Sequence, residues 1–329
     1  MIRHINKEGV ARLLESGAVS LEAHIEAVAA AYREYGEGTV RLLGRQSLET
    51  DPDPDSPRPR SLKIMGATLM QAGVMGVVAT PTGYGRPLDF RIVLSSAVTG
   101  KPIAIVEGEV LTYWATASVT AAATRALARE DSRVLGIIGT GSFGFDQPLA
   151  ISRVRPIEEV RCYSRDPAKR EDFARRLSAK LDGVTVRAVA SAAEAAEADI
   201  LTTVTTAHQP VVASADIAGG THVNAIGMHY PKTREIDTET MKRARFIVDD
   251  IGQTFEEKGE FLIPLGEGAI GESHIIGDLG AVLAGTVEGR RSPDELTLFG
   301  SGGTALEFVS VAALFAEAAE AAGVGTVLG

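Results

Sequence analysis

The chain has 329 residues, 45% hydrophobic and 23% charged, the balance of a soluble globular protein with room for two domains that each bury a core. A formal net charge of −10 argues against nucleic-acid binding, because phosphate contacts need a basic surface. The single cysteine, Cys162, excludes an internal disulfide and a cysteine-based zinc site; no apolar run approaches the roughly 18 residues of a membrane span; and the polar N-terminus is no signal core, so a cytoplasmic location is expected.

Residues 7–34 are expected to be helical, with Val10, Leu13, Leu14, Ile25, Val28 and Ala31 spaced for one buried face and a break at Gly17. Ser20 is expected to cap the second helix with Glu22 in its first turn, although Ala23 stands where a full capping box needs Glu or Gln. Residues 39–48 predict a strand, and the proline-rich stretch Asp51 to Pro59 predicts an exposed loop. Short β-like runs follow at 61–65, 76–79, 90–95 and 102–107, separated by turn signals at 83–87 and 99–102. They predict a small, mostly antiparallel sheet. The alanine-rich residues 112–128 predict a helix leading into a second domain.

That domain opens on an apolar strand, Val134 to Ile138, running straight into Gly139-Thr140-Gly141-Ser142-Phe143-Gly144. In a dinucleotide-binding turn the first glycine permits the tight bend, the second lets a pyrophosphate approach the backbone, and the third lets the next helix pack against the strand. A glycine triplet alone is a weak signal, and a glycine-rich turn of another α/β protein is its plain alternative. Here a strand precedes it and a second strand, Glu159 to Tyr163, follows about 25 residues on, as a βαβ unit requires. A helix after Gly144, a helix at 167–180, a strand at 184–188, a short helix at 192–197, strands at 200–204 and 221–226, a helix at 238–244 and a strand at 246–248 continue the alternation of a parallel sheet. A last helix, 304–322, with Leu306, Val309, Leu314 and Phe315 spaced for burial, is expected to return to the first domain. The expected fold is α/β: a Rossmann-type dinucleotide-binding domain at 113–304 plus a smaller α+β domain at 1–112 with 305–329.

At the end of the second strand an acidic residue would bind the ribose of NAD, whereas arginine accommodates the 2′-phosphate of NADP. Ser164 and Arg165 occupy that turn and Lys169 follows, which favours NADP(H). Asp166 leaves NAD(H) open, although Asp166-Pro167 also reads as a helix start.

The glycine turn, Leu111-Thr112, Val223-Asn-Ala-Ile-Gly227, Val248-Asp-Asp250, Asp278-Leu-Gly-x-Val-Leu-Ala-Gly285 and Leu298-Phe-Gly-Ser-Gly-Gly-Thr-Ala-Leu306 together resemble the ornithine cyclodeaminase/mu-crystallin family over nearly the whole chain. That family also includes an archaeal alanine dehydrogenase and several ketimine reductases. The resemblance implies a homodimer whose first domains pair their sheets, a cofactor cleft between the two domains, and a small-molecule amine or imine substrate. It makes the first domain the substrate-binding and dimerisation domain. It also puts Thr205 and Thr206 beside the cofactor, with Thr116, Gly227 and Met228 as further cofactor-side candidates.

Three substrate residues of the family do not carry over. A lysine in a segment like Gly76-Val77-Val78 is replaced by Val78, the arginine that holds the substrate carboxylate by Ala115, and the acid/base aspartate of the cyclodeaminases by His229. An anion in a desolvated cleft needs a charged, preferably bidentate partner, so Arg41, Arg45 and Arg86 become candidates, each otherwise a solvated surface arginine. His229 is the candidate proton relay, or else a loop histidine with a local hydrogen bond; Lys63 is a second candidate, or else an exposed strand lysine. Tyr84, Tyr113 and Trp114 would wall an apolar or cationic substrate, or simply pack the core. His208, His222 and His274 show no metal-ligand spacing, and Asp249-Asp250 reads as structural, as the family has it. The expected function is an NAD(P)H-dependent imine or ketimine reductase or amine dehydrogenase. The alternatives are a non-catalytic NADPH-binding protein in the manner of mu-crystallin and a cyclodeaminase-type ammonia lyase.

Overall fold

A computed structural model describes residues 1–50, 60–83, 89–227 and 230–329; the proline-rich stretch and the candidates Tyr84, Arg86, Met228 and His229 lie outside the described residues. The chain divides into two compact units, Met1–Ser118 with Gly303–Gly329, and Val119–Gly302.

The first unit opens with β1 (Ile2–Ile5), α1 (Lys7–Glu15) and α2 (Leu21–Gly36). The expected break sits at Gly17, whose φ of 72° is a left-handed conformation that favours glycine. Ser20 Oγ accepts from the Ala23 amide at 3.1 Å, as the capping pattern predicts, and Asn6 Oδ1 does the same for α1 through the Gly9 amide at 3.0 Å. Strands β2 (Arg41–Glu49), β3 (Ser61–Leu69), β4 (Val74–Thr82), β5 (Arg91–Ser96) and β6 (Pro102–Glu107) follow, then helix α3 (Leu111–Leu127). β3 and β4 extend beyond the expected runs because they form one unbroken ladder from Ser61 opposite Thr82 to Leu69 opposite Val74. Backbone pairing there carries Gly66 and Gly76, residues of low strand propensity.

In the second unit the order is β7 (Val134–Ile138), α4 (Ser142–Ile151), β8 (Glu159–Tyr163), α5 (Pro167–Ser178), β9 (Thr185–Ala188), α6 (Ala192–Ala196), β10 (Ile200–Thr203), β11 (His222–Ala225), α7 (Thr238–Arg243), β12 (Arg245–Val248), α8 (Ile251–Glu257), α9 (Gly259–Gly266), β13 (Ile275–Asp278), α10 (Leu279–Leu283) and β14 (Thr297–Gly300). The strands pair in parallel in the order β13-β12-β14-β11-β10-β7-β8-β9. Leu201, Val223, Phe246 and Leu298 from four adjacent strands share one buried cluster, which is why these strands read as nearly continuous apolar runs. Helix α4 starts at Ser142, earlier than the position after Gly144 that the glycine spacing suggests, because Gly141 already takes the extended cap conformation.

The chain then returns to the first unit as α11 (Ala305–Ala322) and β15 (Thr326–Leu328). Leu306, Val309 and Phe315 of α11 are buried as expected, while Leu314 is only half-buried. The sheet order is β15-β1-β6-β5-β4-β3-β2, antiparallel except where β1 lies parallel to β6. β1 and β15 escape prediction because each is short and gains its ladder only from a distant partner. The architecture is α/β with a Rossmann-type parallel sheet and a second, smaller α+β unit. Among the described residues no helix is long and apolar enough to cross a membrane.

Candidate functional site

From β7 the chain steps outward to β8 and β9, then returns through β10 to the other side of β7. The carboxyl ends of β7 and β10 therefore flank the point where strand order reverses, where open α/β sheets bind ligands. The three glycines of the turn meet three different demands there. Gly139 has φ 121°, and a Cβ on it would lie 2.5 Å from the Val204 carbonyl oxygen at the end of β10. A Cβ on Gly144 would come closer than 3.0 Å to the Gly139 carbonyl oxygen, so helix and strand can approach this closely only with glycine at this position. A Cβ on Gly141 would meet nothing within 4 Å. Asp166, Ser191, Asp237, Asp250 and Asp278 cap α5, α6, α7, α8 and α10 through their side chains, whereas no side chain caps α4 or α9. Open space over Gly141 and an uncapped helix N-terminus fit the pyrophosphate of a dinucleotide.

Beside this cradle, the Thr140 hydroxyl donates to Ser164 Oγ at 2.8 Å and the Gly139 amide to the Tyr163 carbonyl at 2.9 Å, tying the turn to the end of β8. The Asp166 carboxylate accepts the Ala168 and Lys169 amides at 3.0 and 3.2 Å, so it faces its own helix. Arg165 and Lys169 are exposed, Lys169 Nζ lying 3.8 Å from Asp166. Arg170, which sequence reasoning passes over, donates to the Ser164 carbonyl at 3.1 Å and lies over the Tyr163 ring.

The loops after β10 and β11 carry Thr205, Thr206 and Gly227, and a buried carboxylate joins them. Glu235 accepts the Thr205 amide at 2.6 Å, the Thr203 hydroxyl at 3.0 Å and the Gly227 amide at 2.8 Å; Thr206 is exposed. Burial pushes the Glu235 carboxyl up to about 7, and nearby Glu260 adds to the rise, against the pull of its Thr203 and Thr205 donors. Glu260 accepts the Glu235 amide at 3.0 Å and lies 3.6 Å from Lys258 Nζ, which donates to the Ala225 and Ser301 carbonyls at 3.1 and 2.8 Å. None of Glu235, Glu260 and Lys258 stands out in the sequence. Their one trace there is Gly227, where any Cβ would collide with the Glu235 carboxylate.

Asp249 accepts the Ser301 hydroxyl at 2.8 Å and the Gly302 amide at 2.7 Å, and Asp250 caps α8 through the Gln253 amide at 2.6 Å. His222 is buried between Thr297 and Asn224, and His274 bonds the Met241 carbonyl at 2.7 Å. No cluster of three metal-ligating side chains occurs among the described residues.

In the first unit Ala115 and Val78 are fully buried. Lys63 is half-buried on the face of β3 that it shares with buried Met65 and Ala67. Arg45 is half-buried and donates to the Gly303 carbonyl at 2.8 Å, just ahead of α11. Arg41 lies on the other face, exposed, with its guanidinium donating to the Gly38 and Val40 carbonyls at 3.1 and 3.0 Å. That outer face also exposes Leu43, Leu48, Leu62, Val77 and Val93. Trp114 packs its ring 4.9 Å from that of buried His24, which is in turn 5.4 Å from Phe315, and Thr116 is half-buried on α3.

Residues 12–323 match the ornithine cyclodeaminase/mu-crystallin family. The alanine dehydrogenase of Archaeoglobus fulgidus is 33% identical over 313 residues, covering 94% of each chain. The Thermococcus litoralis Delta(1)-pyrroline-2-carboxylate reductase, solved with NADH and L-proline, superposes with a TM-score of 0.91 at 33% identity, over 99% of this chain and all of that one. An archaeal alanine dehydrogenase dimer with bound NAD gives a TM-score of 0.90 at 30% identity, over 100% of this chain and 99% of that one. With the glycine turn at the strand-order reversal and this similarity from end to end, the chain belongs to the ornithine cyclodeaminase/mu-crystallin family.

Proposed function

We propose that the protein is an NAD(P)H-dependent oxidoreductase that reduces the C=N bond of a small imine or ketimine, or oxidises the corresponding amine. The observation that carries the reading is the three-glycine cradle, with its closed, open and closed positions at Gly139, Gly141 and Gly144. Similarity to a pyrroline-2-carboxylate reductase and an alanine dehydrogenase supplies the bond class. The bound nicotinamide supplies the hydride. The protein's part is to hold the nucleotide, orient the substrate carbon and deliver a proton. Gly139, Thr140, Gly141, Ser142, Phe143 and Gly144 take the pyrophosphate, with Thr116, Thr205, Thr206, Gly227 and Met228 lining the rest. NADP(H) is the favoured form: Asp166 is committed to capping α5, which leaves exposed Arg165 and Lys169, beside Ser164, for a 2′-phosphate. His229 is our proton donor, because an imidazole titrates near working pH.

Substrate recognition departs from the family pattern. With Ala115 in place of the arginine, Arg45 and Lys63 are the cations we assign to any anionic group of the substrate, with Arg86 and the aromatics Tyr84 and Trp114 completing the wall. Arg41, on the outer face with exposed Leu43, Val77 and Val93, fits better at the interface of a cytoplasmic homodimer formed through that sheet. The first unit then has the substrate-binding and dimerisation role and the second the dinucleotide-binding role.

The test is NADPH oxidation against a matched panel of cyclic imines and keto acid/amine mixtures, half with an α-carboxylate and half without. Turnover of any C=N substrate supports the reading. Tight NADPH binding with silence across the panel would instead support the non-catalytic reading, which the buried, uncharged Ala115 and Val78 favour.

A further inference from the structure

Resting on the nucleotide-binding reading, we propose that Glu235 is the positioning residue of this site. Its carboxylate holds the loops after β10 and β11 at one fixed spacing, so that Thr205 and Gly227 stand ready for the dinucleotide. Strands β10 and β11 are neighbours in the sheet, but their hydrogen-bonded ladder ends at Thr203 opposite Ala225. Beyond that point the two chains leave the sheet, and Glu235 bridges them: one carboxylate oxygen takes the Thr205 amide at 2.6 Å, and the other takes the Gly227 amide at 2.8 Å and the Thr203 hydroxyl at 3.0 Å. A Cβ on Gly227 would collide with the carboxylate, so a larger residue there would push Glu235 away from its donors.

The carboxylate is itself fixed from behind. Its own amide donates to Glu260 on α9 at 3.0 Å, and Glu260 pairs with Lys258, whose ammonium joins the ends of β11 and β14 through the Ala225 and Ser301 carbonyls. Glu260 and, behind it, Lys258 are the charged groups that face Glu235 among the described residues. The adjacent Arg234 turns away to Thr238 and Glu267. Two buried carboxylates thus lie beside one cation, which pairs with only one of them. Glu260 is matched by Lys258, and Glu235 is left to be held by neutral donors, consistent with its raised proton affinity. The ionised form accepts all three donors. Protonation puts a hydrogen where a donor must sit and loosens one loop, so nucleotide affinity rises with pH through the Glu235 titration, near 7.

The experiment is a fluorescence titration of the full-length protein with NADPH from pH 5.5 to 8.5, for wild type, Glu235→Gln and Thr203→Val, with thermal unfolding measured alongside. The glutamine keeps one acceptor and points an NH2 at the other donors, so at pH 8 it weakens NADPH binding about tenfold. The titration of the nucleotide's own 2′-phosphate is common to both proteins and cancels in the ratio of their Kd values. That ratio falls toward one as the pH drops below 7. Thr203→Val removes one donor and keeps the carboxylate, so the midpoint of its affinity profile moves to higher pH. It decides the matter where the glutamine variant does not fold. Profiles of wild type and Glu235→Gln that superimpose, or an unmoved midpoint in Thr203→Val, overturn the proposal. A wild-type protein that binds neither NADPH nor NADH at any pH overturns the nucleotide reading itself, and this inference with it.

Discussion

Replacing Gly141 and Gly144 one at a time by alanine separates what the glycine turn does for the fold from what it does for a ligand. At Gly144 the new methyl would press on the Gly139 carbonyl oxygen, a backbone atom of the same turn, at a separation below the 3.0 Å that real Cβ atoms respect. Relieving such an overlap inside a packed turn costs about 1–3 kcal/mol. At about 2–4 °C per kcal/mol for a domain of this size, Gly144→Ala should melt about 2–12 °C below wild type. At Gly141 the methyl meets no protein atom within 4 Å, and the backbone φ of −84° suits any residue. The lost preference for glycine over alanine at a helix cap is under about 1 kcal/mol, so Gly141→Ala should melt close to wild type. Its methyl nevertheless fills the space assigned to the pyrophosphate. Losing one or two amide contacts to that charge weakens NADPH binding about 10–100-fold. Differential scanning calorimetry and a nucleotide fluorescence titration on the two variants read both effects. The reasoning fails if Gly141→Ala binds NADPH as tightly as wild type, or if Gly144→Ala melts with it.

Other outcomes follow from individual residues. Arg165→Ala should raise the Kd for NADPH about tenfold while leaving that for NADH nearly unchanged, whereas Asp166→Ala should cost about 1 kcal/mol of stability as a lost helix cap without altering coenzyme preference. Burial holds the His24 imidazole down at about 4, against an ordinary 6.5, despite its bond to the Ser20 carbonyl. The unfolded chain therefore takes up a proton that the folded one refuses as pH falls from 6.5 toward 4, and stability is lost across that window. The melting temperature of His24→Phe relative to wild type should accordingly rise as the pH is lowered from 7 to 4.5; a difference independent of pH would contradict the assignment. Arg155 donates to the Arg125, Ala128, Arg129 and Val154 carbonyls and so closes the C-terminal end of α3. Arg155→Met takes these donors away from buried carbonyls and should destabilise the protein by about 2–4 kcal/mol in urea unfolding.

How much of this was legible in the sequence depends on whether a residue's role is local. The Gly139-x-Gly141-x-x-Gly144 spacing, the Ser20 cap and the break at Gly17 are set by neighbours a few residues away, and the structure has them where the pattern puts them. Strands β1 and β15 owe their existence to partners about 100 and over 300 residues distant, so no local window reveals them. Glu235 sits in Thr233-Arg-Glu-Ile-Asp237, a run that reads as polar surface, yet it is fully buried, taking donors from the end of β10 and from the loops after β10 and β11. Among the arginines, one register decides: Arg45 reaches Gly303, while Arg41, four residues earlier, lies on the opposite face, and no composition argument distinguishes them. Trp114, offered by its aromatic character as a substrate wall, spends part of its ring on His24.

The central claim is hydride transfer to a C=N carbon, and NADPH carrying deuterium at both hydrogen positions of the nicotinamide C4 tests it most directly. Incubated with the purified protein and the imine panel, it should yield an amine bearing one deuterium on the former imine carbon, released with one equivalent of NADP. An amine without deuterium, or NADPH held tightly while every imine is recovered unchanged, would contradict it.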